Sequence, residues 1–373
     1  MVAAASAVVA AGTLAGLVSA LGEGPDGGDE ARPTVSSSPS PQPLPVRPSP
    51  APTSASPSPS RHAATPKPRP AKPSSAPPRP SDARLAATRL YRHGDSQVLD
   101  WVRAHRGDPR RPLIEAAIAD RPAAVWFADF TPATITARVR AVTSGAAGAG
   151  GVPVVVPYTI PERDCGGASE GGAPDLAAYD DWIDRFAAGL GDREVIVILE
   201  PDALSQTECL SADQRTGRYA ALARAGRVLK AANPRARVYY DAGHSGWNTP
   251  AAQAARLRAA GAASPASSDG IFSNVSNFHR TADEIAYDRR VLAAMGAPAS
   301  LGAVVDTSRN GNGAPPAGEW CDPDGRRIGR SPTLTTGESR IDAYLWVKLP
   351  GESDGCKGDP GTFTPDYAYE LAD

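Results

Sequence analysis

The strongest constraint on this chain is a recurrence. From residue 83 onward, seven short apolar runs appear at 123–127, 152–156, 195–199, 237–240, 270–272, 301–305 and 344–347, with helix patterns between them. Runs of this length, rich in Val, Ile and Tyr, read as buried strands. Leu176, Tyr179, Trp182, Ile183, Phe186 and Leu190 follow a 3.6-residue period, with Gly191 placed to end the helix. Ser211 and Gln214 form a capping box that opens a second helix, whose inner face carries Tyr219, Leu222 and Leu229. Strands alternating with helices form a parallel sheet, and seven or eight repeats within about 290 residues favour a closed one. The expected fold is α/β: a distorted seven-stranded parallel α/β barrel (TIM-like) with a disordered N-terminal tether.

The first 82 residues follow different rules. Residues 2–21 carry no charge and suit a secretory leader or one membrane span, with Val18-Ser19-Ala20 as a small-residue cleavage site. Export with cleavage is the expectation for residues 1–22, and the chain meets a membrane only if that segment is retained. Residues 23–82 are dominated by Pro, Ser, Ala and Thr, and no Phe, Trp or Tyr appears before Tyr91. Such a stretch cannot bury enough apolar surface to offset the entropy of ordering, so it reads as a disordered linker. Residues 1–82 hold seven of the 39 basic and five of the 41 acidic side chains, leaving 32 against 36 in the rest. A mildly acidic folded part argues against a nucleic-acid partner. The four cysteines are even in number and none stands in a CxxC spacing, which suits disulfides in an exported protein rather than a zinc site.

The residues just after each run carry the chemistry. The third run stops at Glu200-Pro201-Asp202, because proline offers no ladder donor, and delivers acids to the carboxyl end of a buried strand. There a low-dielectric surround can keep a carboxyl protonated as an acid catalyst. Trp126 and Asp129 close the first run; Tyr158, Arg163, Asp164 and Cys165 come after the second; Asp241, His244 and Trp247 after the fourth. Asn274 and Asn277 come after the fifth, Asp306 and Arg309 after the sixth, and Lys348, Glu352 and Asp354 after the seventh, with Trp346 inside it. Stability alone gives no reason to gather acids and tryptophans at one rim, so the set reads as a carboxylate-rich, aromatic-lined cleft. Indole faces stack on the apolar faces of sugar rings, and carboxylates bond to their hydroxyls. Trp182 is expected in the core, whereas Trp126, Trp247 and Trp346 are expected to stack on sugar. His244 has no second histidine at ligand spacing, so hydrogen bonding is expected of it rather than metal ligation.

Six motifs resemble glycoside hydrolase family six, the bacterial and fungal endoglucanases and cellobiohydrolases. They are V-P-Y-T-I-P-E-R-D-C at 156–165, I-L-E-P-D-A-L at 198–204, Y-Y-D-A-G-H-S-G-W at 239–247, V-V-D-T-S-R-N-G-N-G at 304–313, E-W-C-D-P at 319–323 and W-V-K-L-P-G-E-S-D-G at 346–355. The resemblance implies hydrolysis of β-1,4-glucan with inversion at the anomeric carbon. It casts Asp202 as general acid, Asp164 as the aspartate supporting that acid and the transition state, and Asp354 as the residue proposed as base. Tyr158 matches the tyrosine beneath the sugar at the cleavage point, and Lys348 and Glu352 match residues holding that sugar. The sequence departs from the family at Thr159, within Y-T-I-P where Y-N-x-P is usual, and at Asp322, where Asn is usual.

Three cysteine pairings are open. Cys165 with Cys209 is favoured because it joins the loops of Asp164 and Asp202, which leaves Cys321 with Cys356. The expectation is then a secreted, inverting endo-β-1,4-glucanase in residues 83–373, a monomer needing no cofactor and no metal. Asp241, His244, Trp247, Asn274, Trp126 and Trp346 are its expected substrate contacts. An exo-acting cellobiohydrolase of the same family, or a non-catalytic glycan-binding barrel on a Pro/Ser stalk, are the alternatives.

Overall fold

A computed structural model of the protein describes residues 89–373, so the leader and the linker expected over residues 1–82 lie outside the described residues. Seven strands, β1 Val125–Phe127, β2 Val154–Pro157, β3 Val195–Leu199, β4 Ala236–Asp241, β5 Gly270–Ser273, β6 Gly302–Asp306 and β7 Ile341–Leu345, pair in chain order. Every neighbouring pair is parallel. The sheet curls until its edges meet at one place: Ala124 N–H donates to the Trp346 carbonyl at 2.9 Å and Trp126 Nε1 to the Val347 carbonyl at 2.7 Å. A separate two-residue parallel ladder joins Arg89–Leu90 to Gly151–Val152.

Helices alternate with the strands on the outside: α1 Ile135–Ala149, α2 Leu176–Ala187, α3 Ala212–Ala232, α4 Pro250–Ala259 and α5 Thr281–Ala294, with α6 Pro365–Ala372 after β7. Each strand feeds two packing layers. Val155, Val197, Val238 and Val305 join the layer shared with Trp182, Phe186 and Leu229 of the helices. Val156, Ile196, Ile198, Tyr239, Phe272 and Val304 fill the interior of the curl. Because both faces of the sheet are covered, the strands appear in sequence as unbroken apolar runs. Gly226 lets α3 lie directly on β4, since a Cβ there would come within 1.9 Å of the Tyr240 hydroxyl. The capping box at Ser211 forms as the sequence predicts.

Among the element boundaries that differ from the sequence pattern, two have a clear physical reason. Helix α2 stops at Ala187 and leaves through a turn before Gly191. The seventh strand begins three residues before its apolar run and ends at Leu345. A register shift sets Ile341 opposite Ala303 and Ala343 opposite Val304, which makes Asp342 the extra residue of a bulge. Asp342 is 2% exposed and accepts a 3.0 Å hydrogen bond from the Tyr239 hydroxyl. A buried acid inside a strand breaks the apolar run that would otherwise mark it.

Candidate active site

The loops leaving the carboxyl ends of the strands converge on one cleft of about 1350 Å³. Eight of the nine non-glycine residues with positive φ among the described residues lie in these loops: Glu162, Asp164, Cys165, Glu200, Asp202, Asn274, Ser276 and Asp322. Left-handed backbone at such residues costs roughly 1 kcal/mol or more each and persists only where the surroundings over-determine it. Asp202 has φ 67° in the tight turn that ends β3, and Asp164 has φ 56° in the loop after β2.

Asp202, Asp164, Asp354, Tyr158, Trp126, His244, Trp247, Lys348 and Glu352 all line the cleft. Asp202 has its carboxyl well above the ordinary range, first through burial, then through the charges of Asp241 and Asp164. None of the described residues donates a hydrogen bond to its carboxyl oxygens, whereas the Asp241 carboxylate accepts three backbone N–H bonds, so of the two it is Asp202 that holds a proton more firmly. Asp164 Oδ2 accepts from the Ser169 backbone N–H at 2.8 Å and its hydroxyl at 2.9 Å. The same hydroxyl lies 2.9 Å from that of Tyr158. Tyr158 is 5% exposed, stands edge-on to Trp126 and has its phenol pushed up by burial and by Asp202, so it stays neutral.

On the far side Asp354 sits between two cations. Arg309 donates to its Oδ2 at 2.7 Å, and the Lys348 ammonium lies 3.3 Å from Oδ1. Glu352 beside them is pushed up to about 7 by burial, with Lys348 and Arg309 pulling the other way. His244 accepts from the Gly246 N–H at 3.2 Å and stacks on His279, ring centroids 4.1 Å apart. Burial and the neighbouring imidazole push it down to about 3, so it faces the cleft uncharged.

Three of the expected substrate contacts are placed elsewhere. Trp346 is 2% exposed, packs in a core with Val98, Ile114 and Leu349, and donates its Nε1–H to the Arg330 carbonyl. Asn274 is fully buried, donating to the Asp306 and His279 carbonyls and accepting from the His279 N–H. Asp241 lies beneath the turn after β3 and accepts from Leu204, Ser205 and Gly243 N–H.

Asp241 is one of a series, and the series corrects the reading that rim acids serve only a cleft. Glu200 at the end of β3 accepts from Thr159 and Ile160 N–H in the loop after β2. Glu284 of α5 accepts from Ser245 N–H, and Asp306 of β6 accepts from Ser276 and Lys348 N–H. Asp322 accepts from Asp354, Cys356 and Lys357 N–H in the loop after β7. Each buried carboxylate holds a loop that leaves a different strand. Irregular backbone at depth needs such partners, and a carboxylate can satisfy several donors at once. The rim acids therefore divide into those that face the cleft and those that hold its walls.

Ser169, His279 and Trp320 also line the cleft, Trp320 with 59% exposure, and none belongs to the expected set. Trp320 adjoins Cys321 and could have been weighed with the other tryptophans. Ser169 sits in a Gly-rich loop without pattern, so nothing in the sequence marks it. The disulfides are Cys165–Cys209, which joins the Asp164 loop to that after Asp202, and Cys321–Cys356, which joins the β6–β7 link to the Asp354 loop.

Comparison with known proteins places this geometry. A model of the glycosyl hydrolases of family 6 matches residues 81–368. Endoglucanase 1 of Streptomyces sp. (strain KSM-9) is 53% identical over 289 residues, 77% of this chain and 79% of that protein. Endoglucanase A of Thermobispora bispora is 50% identical over 76% of this chain, which spans 61% of that protein. The 1,4-beta-D-glucan cellobiohydrolase C of Emericella nidulans is 32% identical over 64% of this chain and 61% of its own length. Among solved structures, the endoglucanase Cel6 from Mycobacterium tuberculosis, in complex with methyl-cellobiosyl-4-deoxy-4-thio-β-D-cellobioside, superposes with a TM-score of 0.71 at 38% identity. It covers 77% of this chain and 97% of that one.

Proposed function

This chain belongs to glycosyl hydrolase family 6, and from that premise we propose that it is an endo-acting β-1,4-glucanase that cleaves with inversion. The observation that carries the reading is the pairing, in one cleft, of a carboxyl kept protonated, Asp202, with an ion-paired carboxylate, Asp354. Asp202 donates its proton to the glycosidic oxygen as the bond to the anomeric carbon breaks. A water attacks that carbon from the opposite face, and Asp354 receives the water's proton. Asp164 supports the positive charge that develops on the sugar ring, with Ser169 fixing its orientation. Tyr158 lies under that sugar as a neutral phenol, and Lys348 and Glu352 hold its hydroxyls. Trp126, Trp247 and the uncharged His244 offer faces to neighbouring rings.

Endo action is favoured over release of cellobiose from chain ends. The relatives named endoglucanases are 50% and 53% identical, the one named cellobiohydrolase 32%. The cleft-lining loops at 164–172 and 311–320 are largely exposed. The two disulfides fit an exported protein, in keeping with the uncharged leader. Viscometry of a soluble cellulose derivative, followed alongside reducing-end release, tests this. An endo enzyme lowers viscosity well before reducing ends accumulate; proportional release of cellobiose with little early viscosity loss would overturn it.

A further inference from the structure

The loop that carries Asp354 is irregular: residues 350–362 form no helix and only the Glu352–Phe363 bridge, its two sides are joined by Ser353 N–H to the Thr362 carbonyl and Gly361 N–H to the Ser353 carbonyl, both at 2.9 Å, and Gly355 and Cys356 are exposed. Its tip at 353–357 is held by the Cys321–Cys356 disulfide and by the side chain of Asp322, which is fully buried. Asp322 Oδ2 accepts from the Ser353 hydroxyl at 2.6 Å and from Cys356 and Lys357 N–H, both at 3.0 Å. Its Oδ1 accepts from Asp354 N–H at 2.8 Å, while its own N–H donates to Asp354 Oδ2 at 3.2 Å. The two aspartates thus hold each other, each through its carboxylate and the other's backbone N–H. Burial works against the Asp322 charge, but the Ser353 hydroxyl and the loop amides outweigh it and hold the carboxyl below its usual range.

Charge reinforces the geometry. Arg309 Nη1 is 2.7 Å from Asp354 and 3.7 Å from Asp322, and Lys348 is the second cation at Asp354. Asp354 alone would face both cations; Asp322 brings a second carboxylate to Arg309, with Glu352 beside them pushed up to about 7 by burial. We propose that Asp322 is a positioning residue for the proton-accepting step: it folds the 353–357 loop around its carboxylate and shares Arg309, so that Asp354 is aimed by the cations without being neutralised by them. This rests on Asp354 being the proton acceptor proposed for the reaction.

The test is a double-mutant cycle in the full chain with both disulfides intact, assaying a soluble cello-oligosaccharide. Asp354→Ala alone tests the underlying reading, and Asp322→Asn in the wild-type and Asp354→Ala backgrounds tests the inference. Asp322→Asn is expected to lower kcat about tenfold or more with KM within about twofold, as misplacement of a reacting group does. It should cause no further loss once Asp354 is gone, because an interaction routed through Asp354 cannot be lost twice. Loss that multiplies in both backgrounds, or kcat unchanged by Asp322→Asn, would overturn the inference while leaving Asp354 as acceptor. Near wild-type activity in Asp354→Ala would remove both. Should Asp322→Asn fail to fold, Ser353→Ala removes one donor and leaves the charge in place. A severalfold loss of kcat in the wild type and none in Asp354→Ala supports the inference, and any other pattern contradicts it.

Discussion

At Asp202 the surroundings decide what the side chain can do. An aspartyl group is a poor acid near neutrality unless its proton is held, and here burial, Asp241 and Asp164 hold it. As the proposed acid, Asp202 is competent only when protonated, and its range extends above the ordinary carboxyl value, so kcat/KM should fall on the alkaline side as it ionises. Asp241→Asn removes the larger of the two neighbouring charges and should shift that alkaline limb toward lower pH by on the order of one unit. An unmoved limb in a rate–pH profile would count against Asp241 as its cause. Trp346 and Trp247 make a contrasting pair. Trp346→Ala should cost about 3–5 kcal/mol in urea unfolding, whereas Trp247→Ala should leave stability nearly unchanged and raise KM for glucan. Asp202, Asp164 and Trp247 reach the cleft, each coming soon after an apolar run, whereas Asp241, Asn274 and Trp346, which follow or end such runs too, do not. Position at the end of a strand does not say whether a side chain turns into the cleft or under its floor.

At the scale of elements, the carboxylates that hold loops have a pH signature of their own. Glu200 is fully buried and pushed up to about 7, so the folded state binds its proton more tightly than the unfolded chain does. Stability from this group is therefore complete below the unfolded value of 4.5 and declines as pH rises to about 7, by about 3 kcal/mol in all. Glu200→Gln keeps a carbonyl for the Thr159 and Ile160 amides and should flatten the melting temperature over that interval. An unchanged slope would mean that other groups set it. The disulfides act on the same loops, closing 44- and 35-residue separations. Each contributes about 4 kcal/mol on the loop-entropy model. A thiol titration of denatured, unreduced protein should find no free thiol; four would refute both bridges. The helix and strand pattern was largely legible because both faces of the sheet are apolar. The bulge at Asp342 was not, since a polar residue satisfied inside the barrel looks from the sequence like the end of a strand.

For the whole molecule, the arrangement amounts to a sheet that closes at one point and a cleft to which loops from every strand contribute. Asp202 and Asp354, the proposed acid and acceptor, stand on loops from β3 and β7, far apart in sequence and fixed relative to each other by the intervening strands and their buried carboxylates. Such a scaffold suits a reaction in which water must reach the sugar from the face opposite the acid. The most direct measurement is therefore the configuration of the new reducing end, followed by NMR as the full chain hydrolyses a soluble β-1,4-glucan, with Asp202→Ala alongside. With inversion and Asp202 as the acid, the α-anomer appears first and the variant is slower by orders of magnitude. First release of the β-anomer, or a variant as fast as the parent, would contradict that mechanism.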